Sequence, residues 1–359
     1  MHGDPPATDE TPSAGRAPDR PDPFPKIELH VHLEATVRPE TLLRIAHKNH
    51  YRLPADTVEG LRELFRFRDF MQFINTWIAV TPALQTADDF RQIVVDYAAE
   101  ATALGAAYIE AIFSPAEPVL RGVRWRQVFE GYCDGRDEAR ERYGIEVNFT
   151  PDITRSFSPR VADKVVKWCL KYRDRGVVGV GTGGPEELFP PEPFTRAVAR
   201  ARAGGLGSVP HAGESGGPAL IRATIDSLEP DRIRHGIRAV DDPALLTELV
   251  ERGIVLDVTP VSNLRTKVVP SLEEHPLPRL VAAGVPCSIS TDDPALFQTD
   301  LDLDYAVAAE LGATPEYAFR SALAGVLCGE ATRERLARLA DETDWGAVRP
   351  GSPALETLV

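Results

Sequence analysis

Along the chain, short apolar runs alternate with longer stretches whose apolar residues recur every three or four positions. The runs read KIELHVHL at 26–33, AAYIEAIFSP at 106–115, GIEVNFTPDI at 144–153 and VVGVGTGG at 177–184. LGSVPHAGE at 206–214, RIRHGI at 232–237, IVLDVTPVSN at 254–263 and PCSISTDDP at 286–294 complete the set. Between them lie amphipathic segments such as PEPFTRAVARARAGG and DPALLTELVERG, each ending near Gly as helix C-termini do. Strand then helix, repeated through the chain, predicts an α/β protein with a parallel sheet. Eight such units fit a closed (β/α)8 TIM barrel. An open doubly wound sheet usually shows GxGxxG after its first strand, and none follows the first run here.

Helical periodicity outside the eight units predicts extra helices over the barrel mouth and at the C-terminus. The first are RPETLLRIAHKN and the aromatic LFRFRDFMQFINTW; the last follow Leu301. Phe65, Phe70, Phe73 and Trp77 are spaced as a helical stripe, for which core packing is the simpler reading and a gate over the substrate the other. Residues 1–25 hold seven prolines and few bulky apolar groups, so a disordered tail is expected there. Residues 26–359 then form a single barrel domain.

Composition narrows the function. Lys and Arg total 40 against 54 Asp and Glu, a net charge of −14. That balance argues against nucleic acid or an anionic membrane as partner. No uncharged apolar run approaches the roughly 18 residues a membrane span needs. The N-terminus lacks a signal-peptide layout. The four cysteines form no CxxC pair, and free thiols in a reducing cytoplasm are expected.

The unusual polar residues gather at strand ends. His30 and His32 close the first run, and strand alternation points both the same way. His211 and Glu214 end the fifth run, His235 the sixth, and Asp292 and Asp293 the eighth. In a barrel the carboxyl ends of all strands meet at one mouth, so seven ionisable groups converge there. Three histidines and a carboxylate suit a borderline-soft metal such as zinc, one per chain. Zinc lowers the pKa of a bound water from about 15.7 to about 7. Each motif alone is weak: a lone strand-end histidine is usually a rim residue, and Asp before Pro commonly caps a turn. Their coincidence on four strands is what carries weight.

Taken together, PKIELHVHLEATVRPETL, VPHAGES, RIRHGI, TPVSN and STDDPALF resemble the signature segments of the adenosine deaminase family, in its order and spacing. The resemblance spans roughly Pro25 to the C-terminus. It implies a zinc-dependent barrel that hydrolyses the 6-amino group of a purine nucleoside or base. By that resemblance His30, His32, His211 and Asp292 are the metal ligands. Glu214 is the acid–base that protonates purine N1, and His235 holds the attacking oxygen. Asp293 bonds purine N7, Gly184 contacts N3 through its backbone, and Glu34 stands where adenosine-specific members carry Asp for the ribose 5′-hydroxyl. Ala35 and GVGTGGPEE also depart from those members. The substrate expected first is adenosine or an adenosine-like nucleoside, with aminodeoxyfutalosine or adenine as alternatives. A two-metal hydrolase on the same barrel is disfavoured because strand four offers Thr182 and Gly183 where a bridging Lys would stand. A binding barrel with a decayed site is disfavoured because every expected ligand is present. Oligomeric state is not legible.

Overall fold

The computed structural model describes residues 22–351. Its strands are β1 (Lys26–His32), β2 (Ala106–Ile112), β3 (Val147–Phe149), β4 (Asp152–Thr154) and β5 (Gly179–Gly183). They continue with β6 (Gly207–Ser208), β7 (His211–Ala212), β8 (Arg232–His235), β9 (Val255–Val258) and β10 (Cys287–Ile289). All pair in parallel. These ten strands make eight staves. β3 and β4 are one stave broken at Pro151, and β6 and β7 are one broken at Pro210. A proline has no N–H for the ladder, so pairing lapses there and resumes beyond it.

The ring closes between the last stave and the first. The His32 N–H donates to Asp292 O at 2.8 Å, and the Asp292 N–H to His30 O at 3.0 Å. Across the middle, Val178 N–H bonds Phe149 O and Val209 N–H bonds Val180 O, both at 2.9 Å. The fold is therefore the (β/α)8 barrel expected.

Its interior is unusually charged. On β8, Arg232 and Arg234 are two residues apart and share a face. Arg232 sits between Glu110 at 2.8 Å and Asp257 at 3.0 Å, all three buried. Arg234 meets Asp152 at 2.5 Å. β5 makes room for Arg234 and its partner Asp152 at Gly181. A Cβ on Gly181 would lie 2.3 Å from the Arg234 guanidinium and 2.2 Å from Asp152.

The C-terminal helices Pro315–Gly325 and Glu330–Glu342 close the floor. Phe319, Ala322 and Leu336 pack there against Ile27, Leu29 and Tyr108, and Gly325 O accepts from Arg232 Nη1 at 2.7 Å. At the other end, the helix Phe70–Val80 lies over the mouth. The aromatic stripe is not one helix. The chain breaks at 65–69, and Asp69 caps the new helix by accepting from Gln72 N–H at 2.8 Å. Phe65, Phe67 and Phe73 are buried in the core, and Phe70, Phe73, Ile74 and Trp77 line the cavity beneath.

The expected tail is shorter at its inner end. Phe24 is buried, its ring 5.7 Å from that of Tyr305, and Lys26 Nζ lies 3.6 Å from its centroid. The remainder of that expectation, residues 1–21, lies outside the described residues. Among the described residues no helix is long and apolar enough to cross a membrane.

Candidate active site

The carboxyl ends of the staves surround a cavity of about 930 Å³, counting its open mouth. His32, His211, Glu214, His235, Asp292, Asp293 and Gly184 all line it.

The register of β1 slips between Glu28 and Val31. Ahead of the slip Glu28 turns to Tyr97 on the outer helix Ala87–Ala103, at 2.5 Å. Beyond it His30 and His32 both turn to the mouth. Such a bulge re-aims side chains next to a site. Asp292 and His235 hold left-handed φ values of +65° and +63°, rare for residues with a Cβ, and such strain collects at functional sites.

His30 Nε2 lies 3.1 Å and His32 Nε2 3.4 Å from Asp292 Oδ1, and His32 Nε2 is 3.3 Å from His211 Nε2. Donors held tetrahedrally at zinc distances of roughly 2.0–2.2 Å stand about 3.3–3.5 Å apart. All four ligand atoms fall within 4.8 Å of one another. His30 Nε2 is buried with no hydrogen-bond partner, which a metal bond would satisfy. The Nδ1 atoms face backbone carbonyls: His211 Nδ1 meets Thr182 O at 2.9 Å, and His30 Nδ1 meets Asp257 O at 3.3 Å. Those contacts put the hydrogens on Nδ1 and leave both Nε2 lone pairs facing the cluster. Burial drives His32 and His211 well below the usual histidine range, toward the neutral form a ligand needs. Burial alone would raise Asp292, but His30, His235 and His32 outweigh it and hold it far below the carboxylate range. Ser262 Oγ donates to Asp292 Oδ2 at 2.7 Å. The residues present fit one divalent ion.

A second trio, Glu214, His235 and Asp292, lies beside the first and shares Asp292 with it. Glu214 Oε2 is 3.6 Å and Asp292 Oδ2 3.9 Å from His235 Nε2. An oxygen seated to one side of them could reach His235 Nε2 and either carboxylate at hydrogen-bonding distance. Burial, then Asp292 and Glu186, push Glu214 well above the carboxylate range, so it is suited to hold and release a proton. Burial lowers His235 to about 3. Asp293 lines the same cavity, and its Oδ1 is buried without a hydrogen-bond partner. Gly184 has φ +104°, and a Cβ there would meet nothing nearer than 3.9 Å, so its backbone is open to the cavity.

Glu34 is placed differently from the rest. It does not line the main cavity. Its Oε1 accepts from Ser114 N–H at 2.8 Å, and its buried Oε2 faces a small adjoining hollow with Trp77, Glu117 and Arg121. Burial raises it to about 7.

Sequence reasoning missed Glu186 and Arg155. Glu186 accepts from the N–H groups of Gly213, Glu214, Ser215 and Gly216 at 2.8–2.9 Å, clamping the loop that carries Glu214. Arg155 is buried and donates to His211 O and Thr182 Oγ1. The only available signal for Glu186 was an acidic pair in the loop after a glycine-rich strand.

Comparison with known proteins follows the same line. Residues 25–344 match the family model described as adenosine deaminase. An aminodeoxyfutalosine deaminase of Acidothermus cellulolyticus is 48% identical over 89% of this chain and 92% of its own. An adenine deaminase of Cupriavidus pinatubonensis is 40% identical over 76% of this chain and 78% of its own. Among solved structures, an adenine deaminase from Arthrobacter aurescens superposes with a TM-score of 0.84 at 29% identity, covering 89% of this chain and 98% of that one. These relatives are named for aminodeoxyfutalosine and adenine, the alternatives to the adenosine or adenosine-like nucleoside expected first. The chain is a hydrolase acting on C–N bonds, and it belongs to the adenosine deaminase family.

Proposed function

We propose that this protein hydrolyses the 6-amino group of a purine, and that aminodeoxyfutalosine is its substrate. The observation that carries the reaction is the buried quartet of His30, His32, His211 and Asp292 with Glu214 beside it, in one cavity. The relative at 48% identity over nearly the whole chain supports the substrate. Adenine is the second reading, supported by the relative at 40%.

Zinc is the ion we assign to the quartet, from its three imidazoles and one carboxylate. When bound, such an ion supplies an ionised water at neutral pH. Glu214 gives a proton to purine N1, so that attack at C6 does not leave negative charge on the ring. His235 holds the attacking oxygen by hydrogen bonding. Asp293, with its unpartnered Oδ1, bonds the ring at N7, and the open backbone at Gly184 meets N3. Glu117 lines the cavity and Glu34 faces the hollow that adjoins it, and on that side we place the sugar and its substituent. Phe70, Ile74 and Trp77 cover the ring and exclude water. The remaining hydrogen of the attacking oxygen passes to the 6-amino group, and ammonia departs as the C6–N bond breaks.

The test is a panel of aminodeoxyfutalosine, adenosine and adenine, followed by ammonia release and the ultraviolet change to a hypoxanthine chromophore. Turnover should be fastest with aminodeoxyfutalosine. Preference for adenine overturns the substrate, and no turnover of any aminopurine overturns the reaction.

A further inference from the structure

His275 lies outside the cluster and has no part in the mechanism above. It is buried, and its ring nitrogens have fixed partners. The Leu277 N–H donates to His275 Nδ1 at 3.1 Å. A backbone amide can only donate, so Nδ1 accepts and the ring hydrogen of neutral His275 sits on Nε2. His275 Nε2 in turn lies 3.3 Å from Asn263 Oδ1. An amide side chain has two ends of similar shape, and a donor on one side selects the oxygen for that side. Asn263 Nδ2 must then face the other way, where it lies 3.5 Å from His235 Nδ1. Nδ2 can only donate, so His235 Nδ1 accepts. The Thr259 hydroxyl, 3.2 Å from the same nitrogen, is free to rotate and donate to it as well. The hydrogen of neutral His235 is thereby sent to Nε2, the atom that faces Glu214 and Asp292.

We propose that Asn263 and His275 are positioning residues: starting from a backbone amide, they lock His235 in its Nε2–H tautomer, so that it meets the attacking oxygen as a hydrogen-bond donor. The inference rests on the deaminase reading above and assigns His235's part in it. His235 keeps its proton throughout, and the proton delivered to purine N1 is the one Glu214 holds. Thr259, Asn263, His235 and His275 are all buried, so no water relieves a mispaired donor, and the opposite tautomer would set two hydrogens against each other. Short-range chain geometry makes the relay possible. Thr259 precedes the helix Pro260–Arg265, whose adjacent Ser262 and Asn263 reach Asp292 and His235.

The test uses the zinc-loaded protein with its histidines labelled with nitrogen-15. In the wild type, His235 should show a protonated Nε2 and a bare Nδ1. Asn263→Asp offers a carboxylate to both neighbours and should move the hydrogen of His235 to Nδ1. His275→Leu frees the amide to turn. It should lower kcat by about 10–100-fold, the usual range for losing an outer-shell partner, with KM and metal content little changed. His275→Gln keeps a donor toward Asn263 and should restore most of kcat. A wild-type His235 protonated on Nδ1 overturns the proposal without any variant, as does an unchanged kcat and spectrum in His275→Leu. Because the spectrum is read without turnover, a locked Nε2–H in a protein inactive on every aminopurine would overturn the deaminase reading and leave the relay standing.

Discussion

The two ends of the barrel both bury charge, yet only one can act as a site. At the floor, Arg232 lies between Glu110 and Asp257, and Ser288 Oγ donates to Asp257 at 2.7 Å. Cation and anions there find one another inside the protein. At the mouth, His30, His32 and His211 turn three nitrogens and Asp292 an oxygen toward one point. His30 Nε2 and Asp293 Oδ1 make no hydrogen bond; Glu110 Oε2 at the floor makes none either, but it faces the Arg232 guanidinium at 2.8 Å. Burying such groups without partners costs free energy that a functional ligand can return. What distinguishes the mouth is therefore that imidazole and carboxylate lone pairs converge on one point, where at the floor each carboxylate faces a guanidinium; buried charge is common to both ends.

The contrast is sharpest under metal removal. A chelator should abolish deamination, and added zinc should restore it, with the floor untouched. Glu214→Gln comes next: turnover should fall by about 10²–10⁴-fold, the usual worth of a positioned acid, while metal analysis still finds the ion. Turnover at the wild-type rate would remove Glu214 from the mechanism. At the floor the effect should be on stability instead. Arg232→Met leaves Glu110 and Asp257 buried and unpaired, which typically costs about 3–5 kcal/mol. A drop in Tm with kcat of the folded fraction intact is expected. A lost kcat at unchanged Tm would break the comparison.

Smaller effects lie between the ends. Glu186→Gln replaces one of the two oxygens that clamp residues 213–216. We expect kcat to fall by about tenfold to a hundredfold through misplacement of Glu214, with only a small change in Tm. The pH dependence of stability tests His275. Burial lowers it from 6.5 to about 4, so the unfolded chain binds a proton that the folded chain refuses. Its share of stability is intact above pH 6.5 and is lost as pH falls toward about 4. Denaturant titrations should show a shallower acid loss over that window in His275→Gln.

The mouth was far more legible in the sequence than the floor. HVH, HAGE, RHG and TDDP place reactive side chains at strand ends, where barrel topology alone brings them together. The floor was written in the same strands, as RIRH on β8 and the alternate glycines of β5, but a buried arginine cannot be told from an exposed one without its partners. Glu186 was hidden because it binds backbone N–H groups, which leave no trace in side-chain identity. Phe24 was missed because prolines surround it, and its partner Tyr305 lies at the far end of the chain. Glu34 followed the motif but turned toward Ser114, a choice made by the Leu33–Ala35 turn after β1 and not by strand alternation.

The most direct measurement is anomalous diffraction at the zinc edge from crystals of the metal-loaded protein. One peak per chain should lie within about 2.0–2.2 Å of His30 Nε2, His32 Nε2, His211 Nε2 and a carboxylate oxygen of Asp292. No peak among those four atoms, or a strong one elsewhere in the barrel, would contradict the site and the chemistry built on it.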